Sequence, residues 1–259
     1  MVTIIPVGAF SDNYVWMLCE GGRAVAVDPG DASPVLAFCE REGLALTGVL
    51  ATHHHGDHVG GIPTLLQRFP VPVLGPAREA IPGRTRALAE GDRVDELGAS
   101  ITLRIIDIPG HTSGHIAYAG TVDGEPVLFC GDTLFAAGCG RVFEGTPAQM
   151  WASLSKLAAL PPQTRIYCGH EYTLANLRFA QAVEPDSRAI EARIARDSEK
   201  HGRGQATLPS TLGEELLTNP FLRVRDPVVR QSAEHAAGRS LGDDVEVFAS
   251  LRAWKNRFS

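Results

Sequence analysis

Thr52-His53-His54-His55-Gly56-Asp57-His58, which begins on the last residue of a strand expected over Leu46–Thr52, decides the reading of this chain. In an extended segment, residues two apart point to the same side. His53 and His55 are therefore expected to face one point together, with His54 turned away. Gly56 permits a sharp turn, after which Asp57 and His58 open the next helix and aim at a second point nearby. A polar surface loop or a chance run of histidines is the plainer alternative. Four ligand-type side chains at this spacing, directly after a strand, rarely have a structural reason.

Three further candidates stand at the ends of apolar runs, each beside a glycine. His111 follows Ile108-Pro109-Gly110, Asp132 follows Phe129-Cys130-Gly131, and His170 follows Tyr167-Cys168-Gly169. Each alone could be a turn residue; together they place ligands along one rim of a sheet. One tetrahedral ion takes three or four ligands, so seven point to two ions. A carboxylate has two oxygens and can hold metals roughly 3.5–4 Å apart, which makes Asp132 the expected bridge. His53, His55 and His111 are assigned to the first metal, and Asp57, His58 and His170 to the second. His115 is left for a supporting or structural role, while His201 and His235 read as surface residues. Two metals can share a water and lower its pKa toward roughly 7, so attack by a bridging hydroxide on a carbonyl or phosphoryl group is the expected chemistry. Neither a G-x-S-x-G elbow nor a P-loop competes. Zinc is the expected metal, with iron or manganese also suited to His and carboxylate donors.

Working outward, Met1–Pro6 reads as the start of a strand. Asn13–Glu20 and Arg23–Asp28 form a hairpin across Gly21-Gly22. Ser33-Pro34 supplies a helix cap and first-turn proline, and Gly43 closes that helix. A short helix (about His58–Phe69) and strands at Val71–Leu74, Ile101–Ile108, His115–Ala119, Pro126–Cys130 and Arg165–Cys168 follow. Thr146-Pro147 caps a helix to about Leu160. Beyond Tyr172 the spacing is helical: Thr173–Val183, Ser187–His201, Thr211–Leu217, Pro227–Ala237 and Asp243–Phe258, with His201–Pro209 as an exposed loop and no strand. The expectation is an α/β domain over 1–172 and a helical domain over 173–259.

The chain has 259 residues, 44% hydrophobic and 21% charged, with net charge −6. That balance gives no general attraction to nucleic acid or anionic membranes, so an anionic ligand needs a local basic spot. No apolar run reaches roughly 18 residues, and the N-terminus lacks a secretory leader. Five cysteines without a C-x-x-C pair argue against disulfides and for a reducing cytoplasm.

The H-x-H-x-D-H run with the later His, Asp and His resembles the metal site of the metallo-β-lactamase fold superfamily. Within it, Phe129–Phe135, Gly138–Arg141, Glu144-Gly145-Thr146, Tyr167–Thr173, Asn219-Pro220-Phe221 and Leu251–Phe258 resemble the glyoxalase II (hydroxyacylglutathione hydrolase) family. The resemblance implies an αββα sandwich followed by a smaller all-helical C-terminal domain. It also implies hydrolysis of S-D-lactoylglutathione to D-lactate and glutathione, the second step of methylglyoxal detoxification; a monomer is expected, though no residue pattern carries that. A thioester carbonyl is a good electrophile, and a thiolate whose thiol pKa is ~8.5 leaves without a strong general acid.

By the same resemblance, Arg252 and Lys255 match the basic pair that holds the glycine carboxylate of glutathione. Arg141 falls where the family has Lys or Arg, and Tyr172 where a tyrosine faces the tripeptide. Phe143 stands where some members carry Tyr, so a hydroxyl contact would be missing there. Three apart on a helix, Arg252 and Lys255 share a face; composition alone would make that face solvated. The rival readings are a persulfide dioxygenase with one iron, a nuclease of the same fold, and a non-catalytic metal-binding module. The acidic charge opposes the nuclease, and the surplus of ligands opposes the module.

Overall fold

The computed structural model describes residues 1–95 and 101–258. It begins with β1 (Thr3–Ala9), β2 (Asn13–Glu20) and β3 (Arg23–Val27), an antiparallel meander. Helix α1 (Ala32–Glu42) carries the chain to β4 (Ala45–Leu50), parallel to β3. Asp31, not Ser33, caps α1: its Oδ1 accepts from the Ser33 N–H at 2.8 Å. Aspartate caps as well as serine, and Pro34 is tolerated because first-turn N–H groups lack helical partners. Gly43 closes the helix in the left-handed region, as its position implied.

The expected helix over His58–Phe69 is two: α2 (Gly56–Val59) and α3 (Ile62–Arg68). The break falls at Gly60-Gly61, which pack against the β3–α1 connection. A Cβ on Gly61 would lie 2.6 Å from the Pro29 carbonyl oxygen, so only glycine fits. Gly56 simply begins α2 rather than forming a sharp turn. Strands β5 (Val73–Pro76) and β6 (Arg86–Leu88) complete a six-stranded sheet in the order β1-β2-β3-β4-β5-β6.

The second sheet contains β7 (Arg93–Val94), β8 (Ile101–Asp107), β9 (Ile116–Val122) and β10 (Glu125–Gly131). A two-stranded hairpin, β11 (Leu134–Phe135) with β12 (Gly138–Cys139), leads to α4 (Pro147–Ala158) and β13 (Arg165–Cys168). Thr146 caps α4 in a reciprocal capping box with Gln149. Helices α5 (Thr173–Val183) and α6 (Arg188–Gly202) follow, then β14 (Ser210–Thr211), α7 (Leu212–Thr218), α8 (Pro227–Ala237) and α9 (Asp244–Arg257).

Strand β14 corrects the expectation of an all-helical C-terminal part. It pairs antiparallel with β13, so the second sheet runs β14-β13-β10-β9-β8-β7. The preceding loop is also not wholly exposed, since Thr207 and Leu208 are buried and the Thr207 hydroxyl donates to Glu171.

Alternation along the strands builds two apolar layers. Val15, Met17, Ala24, Ala26 and Val49 face Val35, Phe38, Ile62 and Leu65 of α1 and α3. Trp16, Leu18, Val25, Val27 and Leu50 face the inner side of the second sheet, whose core continues into Leu154, Phe221, Phe248 and Leu251. The result is an αββα sandwich followed by helices that share its core.

Candidate metal centre

The ends of both sheets meet at one rim. The Tyr14 N–H donates to the Gly169 carbonyl at 2.8 Å and the Glu171 N–H to the Asp12 carbonyl at 2.8 Å, joining the β1–β2 turn to the end of β13. All seven candidate ligands converge there. His53 Nε2 and His111 Nε2 lie 3.2 and 3.0 Å from His55 Nδ1. Nitrogens about 2.0–2.1 Å from a tetrahedral ion are about 3.3 Å apart, so this trio fits one metal. Asp57, His58 and His170 form a second group: Asp57 Oδ2 is 3.5 Å from His58 Nε2 and 3.4 Å from His170 Nε2.

Asp132 lies between the two. Its Oδ2 is 3.5 Å from His111 Nε2 and 3.3 Å from His170 Nε2, while Oδ1 is 3.3 Å from His58 Nε2. His58 Nε2 and Asp132 Oδ1 are buried without a hydrogen-bond partner among the described residues. Such atoms are costly to desolvate unless something occupies the space they face. The donor set and these two orphaned atoms fit bound metal. Close approach here depends on Gly169, where a Cβ would stand 2.6 Å from both Asp132 Oδ1 and His58 Cε1.

Four imidazoles are anchored through the nitrogen that faces away from the site. His53 Nδ1 is 3.0 Å from Thr52 Oγ1, and His58 Nδ1 is 3.2 Å from Asp28 Oδ2. His111 Nδ1 is 2.9 Å from the Arg141 carbonyl, and His170 Nδ1 is 2.8 Å from Asp12 Oδ1. Such partners fix the tautomer and aim Nε2 inward. Asp28 also accepts from the Thr52 N–H and hydroxyl, both at 2.7 Å, and so sets the start of the histidine run.

Burial, with His58 and His115 alongside, holds the His53 pKa well below 6.5, which favours the neutral, metal-binding ring. Burial also lowers His111. At His58 and His170 burial acts in the same direction, but Asp132 with its neighbouring carboxylates outweighs it, raising His58 well above 6.5 and His170 to about 10. His170 and then His58, both facing its carboxylate, hold Asp57 below the ordinary carboxylate range. Asp132 is also low despite burial, because His58 and His170 face it.

His54 is turned away, between Glu79 at 3.0 Å and Glu144 at 3.3 Å. His115 takes a supporting place: its Nε2 accepts the Asp132 N–H at 3.2 Å, and its ring stacks on His53 at 4.5 Å. The reading of the sequence missed Asp12, Asn13 and Asp28. Asn13 Nδ2 donates to Asp57 Oδ2 at 3.0 Å. Val27-Asp28-Pro29-Gly30 places Asp28 at a strand end two residues before a glycine, a mark close to that of the candidate ligands, and that signal could have found Asp28.

A cavity of about 480 Å³ opens from His111 and Asp132. Arg141, Phe143, Tyr172, Arg252 and Lys255 all line it. The Tyr172 ring stacks on His170 at 4.7 Å and 5°, and Phe143, exposed, sits 5.3 Å from the His111 ring. Arg252 and Lys255 do not form a solvated face. Arg252 is buried, with Nη1 2.7 Å from the Cys139 carbonyl, and Lys255 Nζ donates to the Ala175 carbonyl at 2.9 Å.

Residues 9–170 match the metallo-β-lactamase superfamily model, and residues 171–258 match the model of the hydroxyacylglutathione hydrolase C-terminus. The chain is 53% identical to a hydroxyacylglutathione hydrolase of Cupriavidus taiwanensis and 51% identical to one of Nitrosomonas eutropha, covering all of both chains in each case. Among solved structures it resembles ETHE1 from Myxococcus xanthus (TM-score 0.65, 23% identity, all of both chains). It also resembles TTHA1623 in a di-iron-bound form (TM-score 0.59, 28% identity, 85% of this chain and all of that one). The chain belongs to the hydroxyacylglutathione hydrolase family of the metallo-β-lactamase superfamily.

Proposed function

We propose that this protein hydrolyses S-D-lactoylglutathione and related 2-hydroxyacylglutathiones to the hydroxy acid and glutathione. The observation that carries this reading is the single cavity running from Asp132 and His111 to Arg252 and Lys255. One end holds metal ligands, and the other offers two cations to an anionic tripeptide. The named activity of relatives at 51–53% identity over the full chain supports it.

His53, His55 and His111 would hold one ion, Asp57, His58 and His170 the other, with Asp132 between them. Bound metal would supply a water that ionises near neutral pH and an electrophile for the thioester oxygen. Asp28, Asp12 and Thr52 keep the imidazoles aimed, and Tyr172 and Phe135 wall the substrate space. Burial, chiefly, pushes the Tyr172 hydroxyl up to about 12, so it remains a neutral hydrogen-bond donor. Zinc is the proposed metal; the di-iron form of TTHA1623 supports iron as an occupant of related sites. Two separate donor groups favour two ions over the one iron of a persulfide dioxygenase.

Among the described residues no helix is long and apolar enough to cross a membrane, and a cytoplasmic monomer remains our proposal. The test combines elemental analysis with thioester hydrolysis on one sample. Metal-loaded protein that leaves S-D-lactoylglutathione intact would sink the reading.

A further inference from the structure

Hairpin β11–β12 is too short to hold its own shape, yet Phe135 and Cys139 from it line the cavity. The Phe135 ring packs edge-on against His170 at 5.9 Å and Tyr172 at 5.2 Å. Its two strands pair only through Leu134 with Cys139 and Phe135 with Gly138. Between them Ala137 has φ of 52°, a left-handed conformation unusual for a residue with a Cβ.

Side chains from the helical part satisfy the hairpin's backbone. Asn219 Nδ2 donates to the carbonyls of Phe135 at 3.2 Å and Gly138 at 2.9 Å, and Asn176 Nδ2 to that of Ala136 at 3.0 Å. Glu215 Oε2 accepts the Ala137 N–H at 2.7 Å. Both Glu215 and Asn219 are fully buried. A buried carboxylate needs a partner, and Glu215 Oε1 has one in Arg193 Nη2 at 2.7 Å, itself buried and bonded to Thr218. Neither Glu215 nor Asn219 lines the cavity.

We infer that Asn219 and Glu215 are positioning residues for substrate selection: they hold β11–β12 as the wall against which the glutathione part of the substrate is read. The inference rests on the hydrolase reading above. It assigns a task to Asn219-Pro220-Phe221, a motif outside the cavity. Arg252 and Lys255 line the cavity away from the metal-facing donors, so loosening the wall is expected to weaken recognition of the tripeptide more than the chemistry, although Phe135 also touches His170.

The test compares two thioesters with the same acyl group, S-D-lactoylglutathione and S-D-lactoyl-N-acetylcysteamine, which lacks the tripeptide. In Asn219→Ala the preference for the glutathione thioester in kcat/KM is expected to fall about tenfold through KM, the size of a lost buried hydrogen bond or two. Turnover of the small thioester and metal content should stay within about twofold. Should that variant not fold, Glu215→Gln carries the same test: with its oxygen kept by Arg193, its amide would face the Ala137 N–H and repel it. An equal loss on both thioesters, or an unchanged preference, overturns the inference while leaving the hydrolase reading intact. Wild-type protein inert on both would overturn the two together.

Discussion

Arg252 Nη1 donates a 2.7 Å hydrogen bond to the carbonyl of Cys139, tying the last helix to the hairpin beside Asp132. The same guanidinium lies 5.1 Å over the Phe221 ring, and its Nε is 3.1 Å from Asn256 Oδ1. The side chain is thus part of the cavity wall as well as a charge within it.

Replacing Arg252 by Ala should therefore raise KM for the glutathione thioester about tenfold with a much smaller change in kcat, and also lower stability by about 1–3 kcal/mol through the orphaned carbonyl and lost packing. Steady-state kinetics beside urea unfolding separates the two effects. An unchanged KM would remove Arg252 from substrate binding.

Asp132 faces His111 on one side and His58 and His170 on the other. Asp132→Ala is expected to retain clearly fewer than two equivalents of metal after dialysis and to lose at least about a hundredfold in kcat. Two tightly held metals in that variant would rule out a bridging role.

Asp28 never reaches the substrate space, yet it aims His58 and pins Thr52. Asp28→Asn should weaken metal affinity by about 10–100-fold. Competition with a chelator of known affinity measures this, and wild-type retention of both ions would contradict it.

Burial, first, and then Arg252 and Arg178 lower the Lys255 pKa from 10.5 to about 8. Its ammonium is present below that value and lost above it, so KM for the anionic substrate should climb as pH passes about 8. Lys255→Arg should keep KM flat over the same range, because guanidinium stays charged. Stability runs the other way: between the folded value and 10.5 the unfolded chain binds the extra proton, so this group favours folding as pH rises. A KM profile identical in both proteins would exclude Lys255.

Much of the candidate metal centre was legible because the spacing of the candidate ligands is local. His53, His55, Asp57 and His58 fall within six residues, and His111, Asp132 and His170 each end an apolar run beside glycine. The anchors were harder to read. Asp28 acts across neighbouring strands of the first sheet and Asp12 across the two sheets, on partners 30 and 158 residues away. Short strands such as Arg86–Leu88, Arg93–Val94 and the β11–β12 hairpin have too few residues to show a period. Arg252 reads as surface because a charge three residues from another looks solvated until its packing partners are known.

Ser210 and Thr211 give a last consequence. By pairing with β13 they cover its open backbone, and exposed sheet edges template self-association. A chain cut after residue 172 would lose this cover along with the wall around the substrate. It should then aggregate rather than persist as a small metal-binding domain, which makes the helical part a chaperoning edge guard for the sandwich it follows.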